Sequence, residues 1–167
     1  KLEIEKDFLI QAKKGSLAWW LIYNKDKYCN FSCMRDDLKT DLLQVALVQF
    51  DIVWKKALVN LDRIYKLIEN VDADLIVLPE MFGTGFIDDP HQTELHDKQC
   101  LEWMKQLSLT KNAAVTGSLA VEVDGKYYNR MYFVTPDEKV IYYDKKHLFA
   151  LGDEAKVFES GNVPVLA

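Results

Sequence analysis

The segment Leu75-Ile76-Val77-Leu78-Pro79-Glu80 is the part of the sequence that decides the fold. Its apolar run is short and has polar residues on both sides, a pattern that predicts a buried strand. Pro79 ends this strand because proline lacks the amide hydrogen that a strand inside a sheet donates. Glu80 is therefore predicted at the carboxyl end of a buried strand.

A strand and a helix are predicted before this segment. Residues 42–48 form another apolar run, which predicts a second buried strand. A helix is predicted from apolar residues at i, i+4, i+7 and i+11, the spacing that turns one helical face toward a sheet. This apolar stripe consists of Ala57, Leu61, Ile64 and Ile68, and Leu58 and Tyr65 are expected to widen it.

A second helix and several strands are predicted after Glu80. Cys100, Met104 and Leu107 recur at i, i+4 and i+7, which indicates a helix and places Cys100 in the core. The predicted strands include residues 113–120, 132–134 and 140–143. Asp124-Gly125 is a strong signal for a hairpin turn. The order β-α-β-α-β followed by a β meander predicts an α/β fold, with helices on one face of a mixed sheet.

Composition limits the kind of protein this is. The chain has 167 residues, of which 49% are hydrophobic, and this suits a globular domain. Its net charge of −5 and scattered basic residues argue against a nucleic-acid partner, since phosphate binding needs clustered Lys and Arg. The apolar run at 17–23 is shorter than the roughly 20 residues of a membrane-spanning helix, so no membrane partner is predicted. Three cysteines that cannot all pair predict a reducing, cytoplasmic location.

Two regions are predicted along the chain. Residues 1–41 show no sustained periodicity, and we assign no function to this N-terminal extension. Residues 42–167 carry the patterned elements and are predicted to form the folded domain. No metal site is predicted, because the i, i+5 spacing of His91 and His96 does not place them on one helical face.

Two ionisable side chains each follow a strand-like run. Glu80 follows residues 75–78, and Lys145 follows residues 140–143. Hydrolysis of a carboxamide through a cysteine needs a base that takes the thiol proton and passes it to the departing ammonia. It also needs a cation beside the carbonyl oxygen, where negative charge develops. A glutamate and a lysine at strand ends suit these two tasks.

Six short motifs follow one another along residues 78–162. The two longest are Leu78-Pro79-Glu80-Met81-Phe82 and Tyr143-Asp144-Lys145-Lys146-His147-Leu148-Phe149. The other four are Thr84-Gly85-Phe86, Thr116-Gly117-Ser118, Tyr127-Tyr128-Asn129-Arg130 and Gly161-Asn162. In their order along the chain, the six motifs resemble the nitrilase, or carbon–nitrogen hydrolase, superfamily. They resemble most of all its omega-amidase branch, which removes the amide from 2-oxo dicarboxylic acid monoamides. The resemblance implies part of an α-β-β-α sandwich.

The resemblance also implies roles for individual residues. Glu80 matches the general base, Lys145 the lysine that stabilises the oxyanion, and Glu154 a second glutamate that orients the lysine and the substrate amide. The expected partner is a small-molecule amide, and no cofactor is implied. An apolar substrate pocket is expected around Phe82, Phe86 and Phe149. A simple aliphatic amide, a carbamoyl compound and a nitrile remain open as substrates.

The family's cysteine nucleophile is expected on a further strand after Gly161-Asn162. Only residues 163–167 follow that step, and no cysteine of the chain matches the position. We therefore expect this chain to be inactive alone. The alternative is a catalytically silent truncated homologue, or an interaction module that pairs with a complementary half. An exposed sheet in either form predicts homo-oligomers or aggregation.

Overall fold

The computed structural model describes residues 8–13, 20–21, 42–90, 96–149 and 154–165. In these residues seven strands form one mixed sheet. The strands are Phe8–Lys13 (β1), Trp20–Leu21 (β2), Leu42–Leu47 (β3), Leu75–Val77 (β4), Ala114–Val123 (β5), Lys126–Val134 (β6) and Val140–Asp144 (β7). The helices are Ala57–Ile68 (α1), Asp97–Lys111 (α2) and Glu154–Val157 (α3). The strand order across the sheet is β2-β1-β3-β4-β5-β6-β7.

The centre of the sheet is parallel. β3 pairs with β4 and β4 pairs with β5, both in parallel, and α1 and α2 make the two crossovers. Successive crossovers of the same hand toward the same side place their helices on one face of a sheet. Apolar residues of both helices accordingly share one buried cluster with the strands, including Ile64 and Met104. The predicted α/β fold with helices on one face of a mixed sheet is confirmed.

The second half of the sheet is antiparallel. β5 and β6 form a long hairpin whose turn is Asp124-Gly125, as predicted, and both turn residues have positive φ. β7 pairs antiparallel with β6, so it runs in the same direction as β4 and β5. The carboxyl ends of β4, β5 and β7 therefore meet the start of β6 at one end of the sheet. This end of the sheet carries the residues of the candidate site.

The apolar stripe of α1 is narrower than the sequence predicts. Ile64 and Ile68 are buried against the sheet, whereas Leu58 is 58% exposed and Tyr65 is 48% exposed. Each of these two residues comes one position after a buried residue, a rotation of about 100° around the helix. That rotation turns Leu58 and Tyr65 to the solvent side of the stripe.

The N-terminal extension contributes to the sheet. β1 pairs antiparallel with β3 over six residues, from Phe8 opposite Leu47 to Lys13 opposite Leu42, and β2 pairs with β1. No periodic pattern in the sequence predicts these strands. No helix in the described part of the chain has the length and apolar content that crossing a membrane requires.

Candidate active site

Lys145 lies between two carboxylates. Its ammonium nitrogen donates to Glu80 Oε1 at 2.8 Å, and to Glu154 Oε1 and Oε2 at 3.0 and 2.9 Å. Glu80 is 65 positions away from Lys145 in sequence, so the fold creates this contact. The structure thus brings together the three polar residues that the sequence placed in the site.

The turn after β4 places Glu80. Pro79 ends the strand, and Met81 adopts a left-handed backbone conformation with φ of 53°. This conformation is costly for a residue with a side chain. It is held by the Met81 N–H, which donates to Ser118 Oγ at 3.0 Å, and by the Met81 carbonyl, which accepts the Gly85 N–H at 2.7 Å. The turn directs Glu80 toward Lys145.

The backbone on both sides of Lys145 is fixed. Its N–H donates to the carbonyl of Asn129 on β6 at 2.9 Å, and its carbonyl accepts the N–H of Gly161 at 3.0 Å. Gly161 passes so close that a Cβ atom there would lie 2.0 Å from the Asp144 carbonyl oxygen. The absence of a side chain at position 161 is therefore a requirement for this approach.

Glu154 is the buried member of the cluster, with only 5% of its side chain exposed. It begins α3, and the turn 150–153 that precedes it lies outside the described residues. Burial favours the neutral form of Glu154, but hydrogen bonds from Asn129, the Phe149 N–H and Lys145 outweigh it and lower the pKa of its carboxyl. Glu154 is therefore held as an anion in contact with the Lys145 ammonium group.

The pKa of Lys145 is shifted in the opposite direction, upward. Burial alone would lower it, yet hydrogen bonds and charge from Glu80 and Glu154 raise it above its ordinary value. Lys145 therefore stays an ammonium ion across the physiological range. One fixed cation between two carboxylates suits the stabilisation of a developing oxyanion.

Asn129 is a site residue that the sequence analysis did not single out. Its side-chain nitrogen donates to Glu80 Oε1 at 2.7 Å and to Glu154 Oε1 at 2.9 Å, and the residue is 2% exposed. One signal was available: an amide inside an apolar strand needs buried partners. Nothing in the sequence alone identified those partners.

The three predicted pocket residues occupy different environments. Phe82 is fully buried on the helix side of the sheet and packs against Trp103, with ring centroids 6.3 Å apart. Its role in the structure is therefore core packing, in place of the expected substrate contact. Phe86 and Phe149 are about half exposed, and the Phe149 N–H donates to Glu154. Their contact with a substrate stays a prediction.

Among the described residues, Cys100 is the one cysteine, and it is buried as predicted. Burial and the charge of Asp97 raise the pKa of its thiol to about 12. It lies in the core cluster with the helices and does not suit a nucleophile. Cys29 and Cys33 lie outside the described residues, as does His91. The described residues contain no group of side chains that would hold a metal ion.

The α/β sheet and its Glu–Lys–Glu cluster define a member of a known class of hydrolases. The model of the carbon–nitrogen hydrolase family matches residues 44–167. The chain belongs to the carbon–nitrogen hydrolase family, and the resemblance seen in the six motifs is confirmed.

Curated relatives indicate the branch of the family. The chain is 34% identical over 125 residues to the omega-amidase YafV of Escherichia coli K12, covering 74% of this chain and 49% of that protein. It is 33% identical over 125 residues to the 2-oxoglutaramate amidase of Bacillus subtilis, covering 71% of this chain and 48% of that protein. The chain thus spans about half the length of these relatives.

A solved structure shares the fold and part of the sequence. The protein XC1258 of Xanthomonas campestris, described as a CN-hydrolase superfamily protein with an arsenic adduct in the active site, superposes with a TM-score of 0.68. It is 32% identical, and the match covers 72% of this chain and 47% of that one. An amidase from Nesterenkonia sp. matches with a TM-score of 0.64 at 22% identity, over 74% of this chain and 50% of that one, which shows the fold.

Proposed function

We propose that this chain supplies the acid–base and oxyanion-binding groups of an omega-amidase-like amidohydrolase. The reaction releases ammonia from the carboxamide of a small 2-oxo acid monoamide. The observation that carries the proposal is the Lys145 ammonium held within 3.0 Å of both Glu80 and Glu154. The omega-amidase and 2-oxoglutaramate amidase relatives support the choice of substrate.

Each residue has a task in the proposed cycle. Glu80 takes the proton of a cysteine thiol, and the thiolate attacks the carbonyl carbon of the amide. Lys145 stabilises the negative charge that forms on the carbonyl oxygen. The C–N bond then breaks, and Glu80 gives its proton to the departing ammonia. Water, deprotonated by Glu80, attacks the thioester, which releases the acid and restores the thiol.

The proposed nucleophile is a cysteine from a segment other than those that form the described cluster. Cys100 is buried and its thiol has a raised pKa, so it does not supply the thiolate. This observation also fits a second candidate function, a catalytically silent homologue or an interaction module that pairs with a complementary half without catalysis. We still expect the chain to lack activity alone, and its cytoplasmic location also stays a prediction.

Ammonia release tests the two candidates. The purified chain is incubated with 2-oxoglutaramate or 2-oxosuccinamate, alone and together with the part of the Escherichia coli YafV protein that this chain does not match, about half of its length. We expect no release from the chain alone and release from the mixture, and Glu80→Gln should abolish the release by the mixture. Glu159→Gln, an exposed change, is the matched control.

Three outcomes decide between the candidates. Release by the mixture that depends on Glu80 supports the amidase proposal. Release by the chain alone that depends on Glu80 would contradict the proposed lack of a nucleophile and would direct attention to Cys29 and Cys33. Silence of a folded mixture, with both parts shown to associate, would favour an interaction module without catalysis.

A further inference from the structure

Among the described residues, the hydrogen bonds to the Glu80 carboxylate all reach one of its oxygens. Lys145 Nζ donates to Oε1 at 2.8 Å, and Asn129 Nδ2 donates to the same atom at 2.7 Å. In the described part of the chain no hydrogen bond reaches Oε2. About 44% of the Glu80 side chain is exposed, so part of it is accessible to an incoming group.

The orientation of the Asn129 amide follows from its neighbours. Ionised carboxylates only accept hydrogen bonds, so the atom that faces Glu80 and Glu154 has to be the amide nitrogen. A side-chain amide carries two hydrogens, and here they meet two different carboxylates at 2.7 and 2.9 Å. Asn129 therefore joins the two glutamates without placing another charge between them.

We propose that Asn129 is the positioning residue that orients Glu80, so that Oε1 is occupied by Asn129 and Lys145 and Oε2 is the atom that accepts and returns the proton. The chemical meaning of this role rests on the proposed amidase function. A neutral donor suits the position because a third carboxylate would compete for Lys145, and a cation would compete with it for both glutamates.

The same residue also fixes the lysine. The Asn129 carbonyl accepts the backbone N–H of Lys145 at 2.9 Å, while its amide holds the two carboxylates that the ammonium group contacts. Asn129 is almost fully buried and lies within β6, so this geometry is built on the sheet itself. A site carried by rigid elements holds its geometry more closely than a site carried by loops.

Exchange of the Asn129 side-chain hydrogens with water tests the proposal without any substrate. The two Nδ2 hydrogens give separate ¹⁵N-resolved signals, and Glu80→Ala removes the acceptor of one of them. We expect the exchange rate of that hydrogen to rise about tenfold or more, while the hydrogen bound to Glu154 stays within about twofold. Glu102→Ala, on the exposed surface of α2, is the control for a glutamate lost elsewhere.

A second variant tests the charge argument. Asn129→Asp keeps the size of the side chain and adds a carboxylate beside Lys145, so the titration midpoint of Glu154, followed by ¹³C NMR, should shift upward. Asn112→Asp makes the same change at an exposed helix end and should leave that midpoint in place. Retained near-ultraviolet circular dichroism and amide protection elsewhere would show that the variants are folded.

The outcomes are separable from those of the amidase assay. Exchange of either hydrogen in the parent chain as fast as in an exposed side-chain amide, unchanged exchange in Glu80→Ala, or equal midpoints in Asn129→Asp and Asn112→Asp would each overturn the proposal. The expected pattern without ammonia release by the complemented enzyme would support the positioning role and contradict the proposed function. With release, Asn129→Asp should lower kcat by about tenfold or more and leave KM nearly unchanged.

Discussion

The charge balance of the site depends on one buried carboxylate. Glu154 accepts hydrogen bonds from Lys145, Asn129 and the Phe149 N–H, whereas within the described part of the chain Glu80 accepts them from Lys145 and Asn129 alone. This asymmetry separates the two glutamates by role. Both oxygens of Glu154 accept hydrogen bonds, which suits a fixed anion, while one oxygen of Glu80 accepts none from the described residues, which suits a group that exchanges a proton.

The lowered pKa of Glu154 gives a prediction for stability in acid. Because the folded-state pKa lies below that of the unfolded chain, Glu154 stabilises the fold fully above the unfolded value, and this contribution is lost as the pH falls through the folded value. Glu154→Gln removes this titration. In urea unfolding at neutral pH, we expect the variant to be about 1–2 kcal/mol less stable than the parent chain.

The pH dependence distinguishes this effect from simple loss of packing. The stability difference between the parent chain and Glu154→Gln should shrink as the pH is lowered from 7 to about 3. Glu159→Gln, at an exposed position, should show no such change. A difference for Glu154→Gln that stays constant across this pH range would mean that the charge of Glu154 contributes nothing to folding.

Single residues show how far sequence reasoning reaches. Glu80 and Lys145 were identifiable because each follows an apolar run and stands within a recognisable motif. Asn129 stands in a motif as well, yet its role depends on two partners that lie 49 and 25 positions away. Phe82 lies two positions after Glu80 in sequence, but the left-handed turn at Met81 separates the two side chains, so that Phe82 enters the core.

The presence of helices and strands was predicted more reliably than the burial of residues at the edges of their apolar faces. β4 and α1 follow directly from a short apolar run and from a helical stripe, because burial imposes those periods on the sequence. The assignment of Leu58 to the buried face of α1 was wrong, since the sheet covers only part of the helix. Apolar residues at the edge of a stripe carry no signal that distinguishes contact from exposure.

The segment after α3, which contains Gly161, is predicted to hold Lys145 in position. In Gly161→Ala, the new methyl group would meet the Asp144 carbonyl at 2.0 Å, so the segment has to move and the hydrogen bond from the Gly161 N–H to the Lys145 carbonyl is lost. Overpacking of this kind costs about 1–3 kcal/mol. We expect chemical denaturation to show that loss, together with a chemical-shift change at the Lys145 ammonium group.

Gly125→Ala provides the comparison for this variant. Gly125 also has a constrained backbone, with φ of 75°, but a Cβ atom there meets nothing within 4 Å. Its substitution should cost about 1–2 kcal/mol through backbone strain and leave the Lys145 signal unchanged. If both variants shift the Lys145 signal equally, the close approach of Gly161 is not what places the lysine.

At the scale of the whole molecule, the common direction of three strands explains why distant residues meet. β4, β5 and β7 all end on the same side, and this common edge brings Glu80 to Lys145 across 65 positions of sequence. Sequence patterns predicted the order of these strands along the chain. They gave no sign of the pairing between β1 and β3, because a strand without alternation or a long apolar run leaves no periodic signal.

Removal of the N-terminal extension tests what that pairing does. β1 covers the backbone edge of β3 over six residues, and an uncovered edge strand offers unpaired N–H and C=O groups to another chain. We therefore expect a chain of residues 42–167 to fold and to self-associate more strongly than the full chain. Light scattering during size-exclusion chromatography, over a range of concentrations, measures the difference.

A matched variant keeps the extension but blocks its pairing. Leu9 and Ile10 are adjacent in β1, so their backbone N–H groups point to opposite edges of the strand, and proline at either position removes one of these donors. Of these two changes, only the one whose N–H points toward β3 should reproduce the self-association of residues 42–167.

Two outcomes would contradict this role of the extension. If residues 42–167 stay monomeric at every concentration at which the full chain does, the edge of β3 needs no cover and the extension has another role. If both chains associate equally, the contact lies elsewhere, and the β7 edge is the next surface to test, since in the described sheet β7 pairs on one side only.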